Sequence, residues 1–196
     1  LEFYVQRARK AGGRVLEPMC GSGRFLLPMS LAGLPVDGVD SSPAMLEACR
    51  TRSRELAVHP GLILQDLAFL ELPHRYRMAF IPSGSIGLIT EEEELQAALS
   101  RICAHLESNS SLLLELDPGH GESQSPTEFE PRAVLCADGS SIIYTCSASQ
   151  STRPNTICYS GTYTRRNGTQ VVETEAEELL LRLYDPQELC GMLEDC

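Results

Sequence analysis

The chain has 196 residues, 42% hydrophobic and 22% charged, with a formal net charge of -11. That is enough for a sizeable core, with no compositional sign of disorder. The acidic balance and scattered basic residues argue against nucleic acid, which is held through clustered Lys and Arg, and no apolar run approaches the ~20 residues that span a bilayer. The N-terminus lacks the pattern of a signal peptide. A soluble, cytoplasmic protein with neither membrane nor nucleic-acid partner is the expectation. Eight cysteines show no C-x-x-C pair and no accompanying His spacing, so buried free thiols are favoured over a zinc or redox site.

Glu2 to Ala11 carries apolar positions at helical spacing and stops at Gly12-Gly13, a helix C-terminal signal. Val15-Leu16 opens a first strand, the turn Met19-Cys20-Gly21-Ser22-Gly23 follows, and Arg24 to Ala32 reads as a helix, with Pro28 tolerated near its start. Pro35 to Val39 is a second strand. Ser42-Pro43 is an N-cap with proline at the first helical position, and Met45, Leu46 and Cys49 form the inward face of a helix reaching about Ala57. Arg50, Arg52 and Arg54 on this helix read as a solvated face.

Leu62-Ile63-Leu64 is a third strand ending at Gln65-Asp66, and Tyr76 to Ile81 a fourth, stopped by Pro82-Ser83-Gly84-Ser85. Thr90 and Glu93 form a capping box for a helix to about Leu106, and Leu112 to Leu116 reads as a buried fifth strand. Strands alternating with helices predict a doubly wound, mostly parallel sheet covered on both faces. Gly119 to Pro131 is polar and loop-like. Arg132 to Gln150 and Asn155 to about Leu183 then read as antiparallel hairpins, with turns at Asp138-Gly139 and Asn167-Gly168. A two-residue turn at Asp138-Gly139 would set Cys136 opposite Ser141, out of register for a bridge to Cys146. The acidic run Glu173 to Glu178 reads as a solvated edge with no metal role. Asp185-Pro186 caps a last helix, with Glu188 completing a capping box.

Strand, glycine turn, helix and a second strand ending in Asp40 make the unit that places a nucleoside across the C-terminal edge of a parallel sheet. The turn reads Gly21-x-Gly23-x-x-Leu26, without the third glycine of a dinucleotide fingerprint. Glu17 faces the same crevice. Like charges ~5 Å apart at an effective dielectric of ~20 repel by roughly 3 kcal/mol, so this carboxylate disfavours pyrophosphate and suits a cationic cofactor. Asp40 can accept both hydroxyl protons of a ribose, and Asp66 can accept from an adenine amine.

On these residues the chain resembles the class I S-adenosylmethionine-dependent methyltransferases. Glu17-Pro18-Met19-Cys20-Gly21-Ser22-Gly23-Arg24 is similar to their first motif, Gly38-Val39-Asp40-Ser41-Ser42-Pro43-Ala44-Met45-Leu46 to the ribose motif, and Gln65-Asp66-Leu67 to the adenine motif. Phe80-Ile81-Pro82-Ser83-Gly84-Ser85 stands where the family lines the methyl-transfer site, and Leu181 to Leu189 resembles its last strand-to-helix junction. The resemblance implies S-adenosyl-L-methionine as cofactor, no metal, and a set of cofactor contacts: Glu17, Met19, Gly21 and Gly23 for the methionine end, Asp40 and Ser41 for the ribose, Met45, Asp66 and Leu67 for adenine, and Ile81 and Pro82 beside the methyl. Met19 replaces the first glycine of the usual turn, implying contact by its backbone only. Arg77 stands where an acid often opens the fourth strand.

The resemblance further divides the chain into a Rossmann-like cofactor domain, residues 1-117 and 184-196, and an inserted antiparallel β lid, 118-183, like that of methyltransferases acting on small molecules. Such a domain would lack its last two strands, so the sequence reads as truncated. Ser83, Arg182 and Tyr184 are candidates for the acceptor pocket, Tyr144, Tyr159 and Tyr163 come from the same lid region, and His74 and His120 are candidate bases. The implied function is methyl transfer to a small-molecule acceptor, with an amine among the acceptors expected. A non-catalytic adenosyl-binding module is the alternative, and a nicotinamide-dependent oxidoreductase is disfavoured by Glu17 and Leu26. Asp40→Ala is expected to leave the fold intact.

Overall fold

A computed structural model describes residues 1–117 and 126–194. The chain divides into two packed units, one of Leu1–Ile86, Glu91–Leu116 and the last helix from Asp185, the other of Gly87–Thr90 and Asp117–Tyr184.

The first unit is a five-stranded sheet in the order β3-β2-β1-β4-β5, from β1 (Val15–Pro18), β2 (Val36–Asp40), β3 (Gly61–Leu64), β4 (Tyr76–Ile81) and β5 (Leu106–Leu114). Every pairing is parallel, as crossovers through α2 (Leu26–Leu31), α3 (Pro43–Glu55) and α4 (Glu92–Ala104) require, while α1 (Glu2–Ala11) leads into β1. The strand order reverses between β1 and β4, and that switch point opens a crevice at the C-terminal strand ends. Val15, Leu16, Val36, Val39, Met78 and Phe80 are all buried, as expected of strands covered on both faces.

A partly buried ion pair sits inside this core. Asp37 of β2, 3% exposed, pairs with Arg14 at 3.0 Å and accepts from the Tyr76 hydroxyl at 2.9 Å. Gly61 of β3 leaves the carboxylate room, since a Cβ there would lie 2.3 Å from Asp37 Oδ1.

Several elements depart from the sequence reading. α2 begins at Leu26 instead of Arg24, because the turn continues through Arg24. Met45 points outward, 51% exposed, while Leu46 and Cys49 are buried. Thr90 does not cap α4: the N-cap is Glu91, with no side-chain cap bond, and the Thr90 hydroxyl instead accepts from Arg153. Glu92, Glu93 and Glu94 in the first turn suit the positive end of the helix dipole. β5 starts at Leu106, before its apolar run, and shifts register between Tyr76 and Met78, where Asn109 takes a left-handed φ of 59°. It is the edge strand, so Leu112, Leu113 and Leu114 are half-buried.

The second unit is an antiparallel sheet, β10-β9-β8-β6, with β7 also on β8. Its strands are β6 (Thr127–Glu128), β7 (Arg132–Leu135), β8 (Ser141–Gln150), β9 (Thr156–Asn167) and β10 (Gln170–Arg182). β6 lies in a stretch that reads as loop. The β7–β8 turn is one residue longer than expected: Leu135 pairs with Ser141, and Cys136 donates to the Ser140 carbonyl at 2.8 Å. Gly139 at φ 82° completes this three-residue loop, and Asp138 pins it by accepting from Ser140 and Arg165. Asn167 pairs with Gln170, so the β9–β10 turn is Gly168-Thr169, one residue on. The acidic run of β10 is exposed along the sheet edge. Asp185 caps α5 (Pro186–Glu194), accepting from the Gln187 and Glu188 amides at 2.7 and 3.3 Å. The cysteines among the described residues are free thiols.

Candidate functional site

The glycine turn follows β1 at the switch point. Met19, Gly21 and Gly23 take φ values of 59°, 53° and 83°, three left-handed residues in five, which costs a side chain roughly 1–2 kcal/mol at each position. The two glycines serve different ends. A Cβ on Gly21 would meet nothing within 4 Å, so this residue presents bare backbone to open space, whereas a Cβ on Gly23 would sit 2.6 Å from Cys49 Sγ and 2.8 Å from Leu27 Cγ. Gly23 therefore serves helix packing, and its replacement acts through α2 and α3 and not only through ligand approach.

Asp40, at the end of β2, holds the turn from the other side. Oδ2 accepts from the Gly21 amide at 2.7 Å and Oδ1 from the Ser42 amide at 2.9 Å. Each oxygen retains a lone pair for a diol, but the carboxylate also straps the turn, so the expectation that Asp40→Ala leaves the fold untouched does not hold. Arg52 is likewise more than a solvated residue: its Nη1 donates to the Ser22 carbonyl at 3.0 Å.

Glu17 is the unusual group. It is 2% exposed, and its Oε2 has no hydrogen-bond partner among the described residues. Burial raises its carboxyl to about 8, against the opposing pull of Arg24 and of an amide bond from Leu26. Without a cationic partner it is largely protonated at neutral pH.

The remaining cofactor candidates lie along the same strand ends. Asp66 is exposed after β3, its Oδ1 accepting from the Ala68 amide at 2.8 Å to cap a short 3-10 turn over Leu67–Phe69. Leu67 is 8% exposed, against 51% for Met45, and Ser41 is exposed beside Asp40. Ile81 and Pro82 are buried; the Ile81 carbonyl accepts from the Glu115 amide at 3.0 Å. Ser83 is exposed at φ 60° and its hydroxyl meets Arg24.

Two groups that sequence reasoning missed join Ser83. Tyr4 of α1, buried, donates from its hydroxyl to Glu115 Oε2 at 2.7 Å, and the same oxygen accepts from the Ser83 amide at 2.9 Å. The buried face of α1, repeating at Tyr4 and Ala8, was the signal for Tyr4; nothing in the sequence paired it with Glu115.

In the second unit, Arg182 stacks its guanidinium 4.7 Å over the Tyr184 ring. Arg182 donates to the Thr90 carbonyl at 3.4 Å, and the Tyr184 hydroxyl to the Ile89 carbonyl at 2.5 Å. Both thus hold the segment Gly87–Thr90. The Tyr144 and Tyr163 hydroxyls share Glu177 Oε1 at 3.1 Å, and Tyr159 stacks on Phe129. His74 is exposed, and His120 lies outside the described residues. Among the described residues there is no His, Cys, Asp or Glu group fit for a metal, and no helix is long and apolar enough to cross a membrane.

A parallel sheet with this strand order, a glycine turn after β1 and acids at the ends of β1, β2 and β3 is a nucleoside-binding α/β fold of the methyltransferase type. Residues 15–109 match the family model described as a methyltransferase domain, and the chain has the fold of the class I S-adenosylmethionine-dependent methyltransferases. It is 28% identical over 115 residues to the dTDP-3-amino-3,6-dideoxy-alpha-D-glucopyranose N,N-dimethyltransferase of Streptomyces fradiae, covering 59% of this chain and 44% of that protein. It is 30% identical over 111 residues to the ubiquinone biosynthesis O-methyltransferase of Xanthomonas axonopodis pv. citri, covering 54% and 43%. The chain thus spans under half the length of these relatives. Among solved structures, DesVI of Streptomyces venezuelae superposes with a TM-score of 0.80 at 19% identity, over 99% of this chain and 80% of that one. The sugar N-methyltransferase KedS8 of a Streptoalloteichus species gives 0.79 at 19% identity, over 98% and 74%.

Proposed function

We propose that this chain binds S-adenosyl-L-methionine and transfers its methyl group to the amine of a small molecule of the amino-sugar kind. The observation that carries the cofactor reading is Glu17, whose Oε2 is buried without a partner. A buried carboxyl lacking a bond is costly, and an ammonium supplies both the missing donor and the charge that ionises the acid. Pyrophosphate supplies neither. The open backbone at Gly21 adds room for close approach.

In this reading Glu17 takes the ammonium, and the backbone of Met19, Gly21 and Gly23 follows the methionine chain. Asp40, with Ser41 beside it, takes the ribose through the lone pairs left by its two amide bonds. Asp66 accepts from the adenine amine while Met45 and Leu67 flank the base, and the Ile81-Pro82 turn borders the methyl. The cofactor supplies a sulfonium methyl: the acceptor nitrogen's lone pair forms the N–C bond, the C–S bond breaks with its electron pair kept by sulfur, and the surplus proton leaves to solvent. The chain's own contribution is alignment and exclusion of water, worth roughly 7–11 kcal/mol in favourable cases. The amine is the favoured acceptor because the Streptomyces fradiae relative and the structural neighbour KedS8 are both sugar N-methyltransferases. The partner is then a small molecule, not nucleic acid or membrane, and the compartment the cytoplasm.

Calorimetry with S-adenosylhomocysteine and with NAD tests the cofactor, and labelled methyl transfer to amino-sugar nucleotides against their hydroxyl counterparts tests the acceptor. Binding of NAD in place of S-adenosylhomocysteine would overturn the reading.

A further inference from the structure

We propose that Glu115 is the positioning residue for the acceptor: Tyr4 and the Ser83 amide fix one of its carboxylate oxygens, and the other accepts from the nitrogen that is methylated. The assignment rests on the methyl-transfer reading above and deepens it.

Glu115 follows β5 at the C-terminal edge of the sheet. Its amide donates to the Ile81 carbonyl at 3.0 Å, which fixes it beside the Ile81-Pro82-Ser83 turn, next to the switch point. Its side chain is exposed, yet it is not free to wander, because Oε2 takes the Tyr4 hydroxyl at 2.7 Å and the Ser83 amide at 2.9 Å. Both donors are themselves held. Tyr4 is 7% exposed and packs its ring on Phe80 at 4.8 Å, and Ser83 sits in the left-handed conformation of the turn. Oε1 has no hydrogen bond among the described residues.

The charged groups acting on this carboxylate are Arg24 and the N-terminal ammonium, and Glu17 acts on the other side of Tyr4. The Ser83 amide, the Tyr4 hydroxyl and Arg24 hold the Glu115 carboxyl below its ordinary range against the opposing effect of burial. Tyr4 feels burial, Glu115 and Glu17 together, which push its phenol up and keep it a donor. Two carboxyls thus flank one tyrosine in opposite protonation states: Glu17 protonated and dry, Glu115 ionised and wet. Divergent environments of this kind assign different roles to paired acids. A carboxylate held low is a poor base, so Glu115 acts by position and charge: it attracts the cationic amine, which gives one proton to solvent to free its lone pair, and it then stabilises the positive charge that builds on nitrogen as the N–C bond forms and sulfur keeps the electron pair of the broken C–S bond.

The test is calorimetry on the chain loaded with S-adenosylhomocysteine, titrated with 3-amino-3-deoxyglucose and with glucose at neutral pH. The wild type is expected to bind the amine about tenfold tighter than the alcohol, as a charge-assisted hydrogen bond gives. Glu115→Gln keeps an oxygen for Tyr4 and Ser83, and is expected to abolish that preference while leaving S-adenosylhomocysteine affinity and the melting temperature unchanged. Tyr4→Phe, which frees one restraint on Glu115, is expected to reduce the preference in part. The assignment is overturned by a wild type that binds neither sugar or does not discriminate, by a Glu115→Gln variant that still discriminates, or by one that also loses S-adenosylhomocysteine. A wild type that does not bind S-adenosylhomocysteine overturns the methyl-transfer reading itself, and this assignment with it.

Discussion

Glu17 makes the stability of the ligand-free protein depend on pH in an unusual direction. Its carboxyl titrates near its ordinary value of 4.5 when unfolded and at about 8 when folded, so between these values the folded state holds a proton that the unfolded state has released. Stability from this group is fully present below about 4.5 and is lost as pH rises toward about 8, at ~1.4 kcal/mol per pH unit. Because the side chain is 2% exposed, solvent screening takes little from this figure, and the loss between about pH 5 and pH 8 comes to about 3 to 4 kcal/mol. Carboxyls held low, such as Glu115 and Asp138, titrate below this window. Urea denaturation across the range, on wild type and Glu17→Gln, reads the effect. The variant cannot ionise, so the difference between the two curves isolates Glu17, and Glu17→Gln is expected to gain about 3 kcal/mol on the wild type between pH 5 and pH 8. Parallel curves would refute the buried, unpaired carboxyl. With S-adenosylhomocysteine bound the wild-type slope is expected to flatten, because the ammonium ionises Glu17, and calorimetry in two buffers of different ionisation enthalpy should show nearly one proton released at pH 7.

Asp40→Ala is expected to cost about 1–3 kcal/mol of stability, from the two amides it leaves without their charged acceptor, and to weaken S-adenosylhomocysteine binding as well; urea melts and calorimetry separate the two, and unchanged stability would remove the strap. Gly21→Ala adds only left-handed strain of roughly 1–2 kcal/mol, whereas Gly23→Ala adds strain and the overlap with Cys49 and Leu27, so thermal midpoints should fall further for Gly23, and the reverse order would contradict the division of labour in the turn. Asp37→Ala leaves Arg14 and the Tyr76 hydroxyl without their buried partner and is expected to cost about 3–5 kcal/mol, with cofactor affinity of the folded fraction unchanged. A change in that affinity would show that the pair acts beyond the core.

The sheet was legible because its strands are short apolar runs bounded by glycine, proline and capping residues, and a wholly buried parallel strand leaves that signature. β5 and β6 were not. The polar stretch from Glu107 to Ser110 lies in a register shift between the pairs Tyr76–Leu106 and Met78–Ser111, with Asn109 left-handed, a tertiary arrangement that no alternation announces. The turn at Asp138 is one residue longer than the sequence suggests, because the same dipeptide serves two- and three-residue loops, and the turn at Asn167 keeps its length but lies one residue further on. At the site, carboxylates at strand ends could be read from sequence, since topology brings the ends of β1, β2 and β3 to one edge. What could not be read is what each carboxylate already bonds. Asp40 spends both oxygens on backbone amides, and Tyr4 reaches Glu115 across 111 positions in the chain.

Those bonds rank the three strand-end acids by the charge each can offer a ligand. Asp66 is exposed and already caps a turn, so its charge is screened and its contribution is a directional acceptor. Asp40 is partly buried and held by two amides, which keep both oxygens fixed for a diol. Of the three, Glu17 alone has a buried oxygen with no hydrogen-bond partner among the described residues, and it lies where solvent is most excluded. An anionic ligand end there would leave the acid protonated and merely lose its own hydration, while a cation converts the same acid into a full charge at short range in a dry site. In the proposed reading the discrimination between a pyrophosphate and an ammonium is therefore made by a group that is neutral until the right ligand arrives, which is why the missing third glycine at Leu26 and the buried acid at Glu17 point the same way.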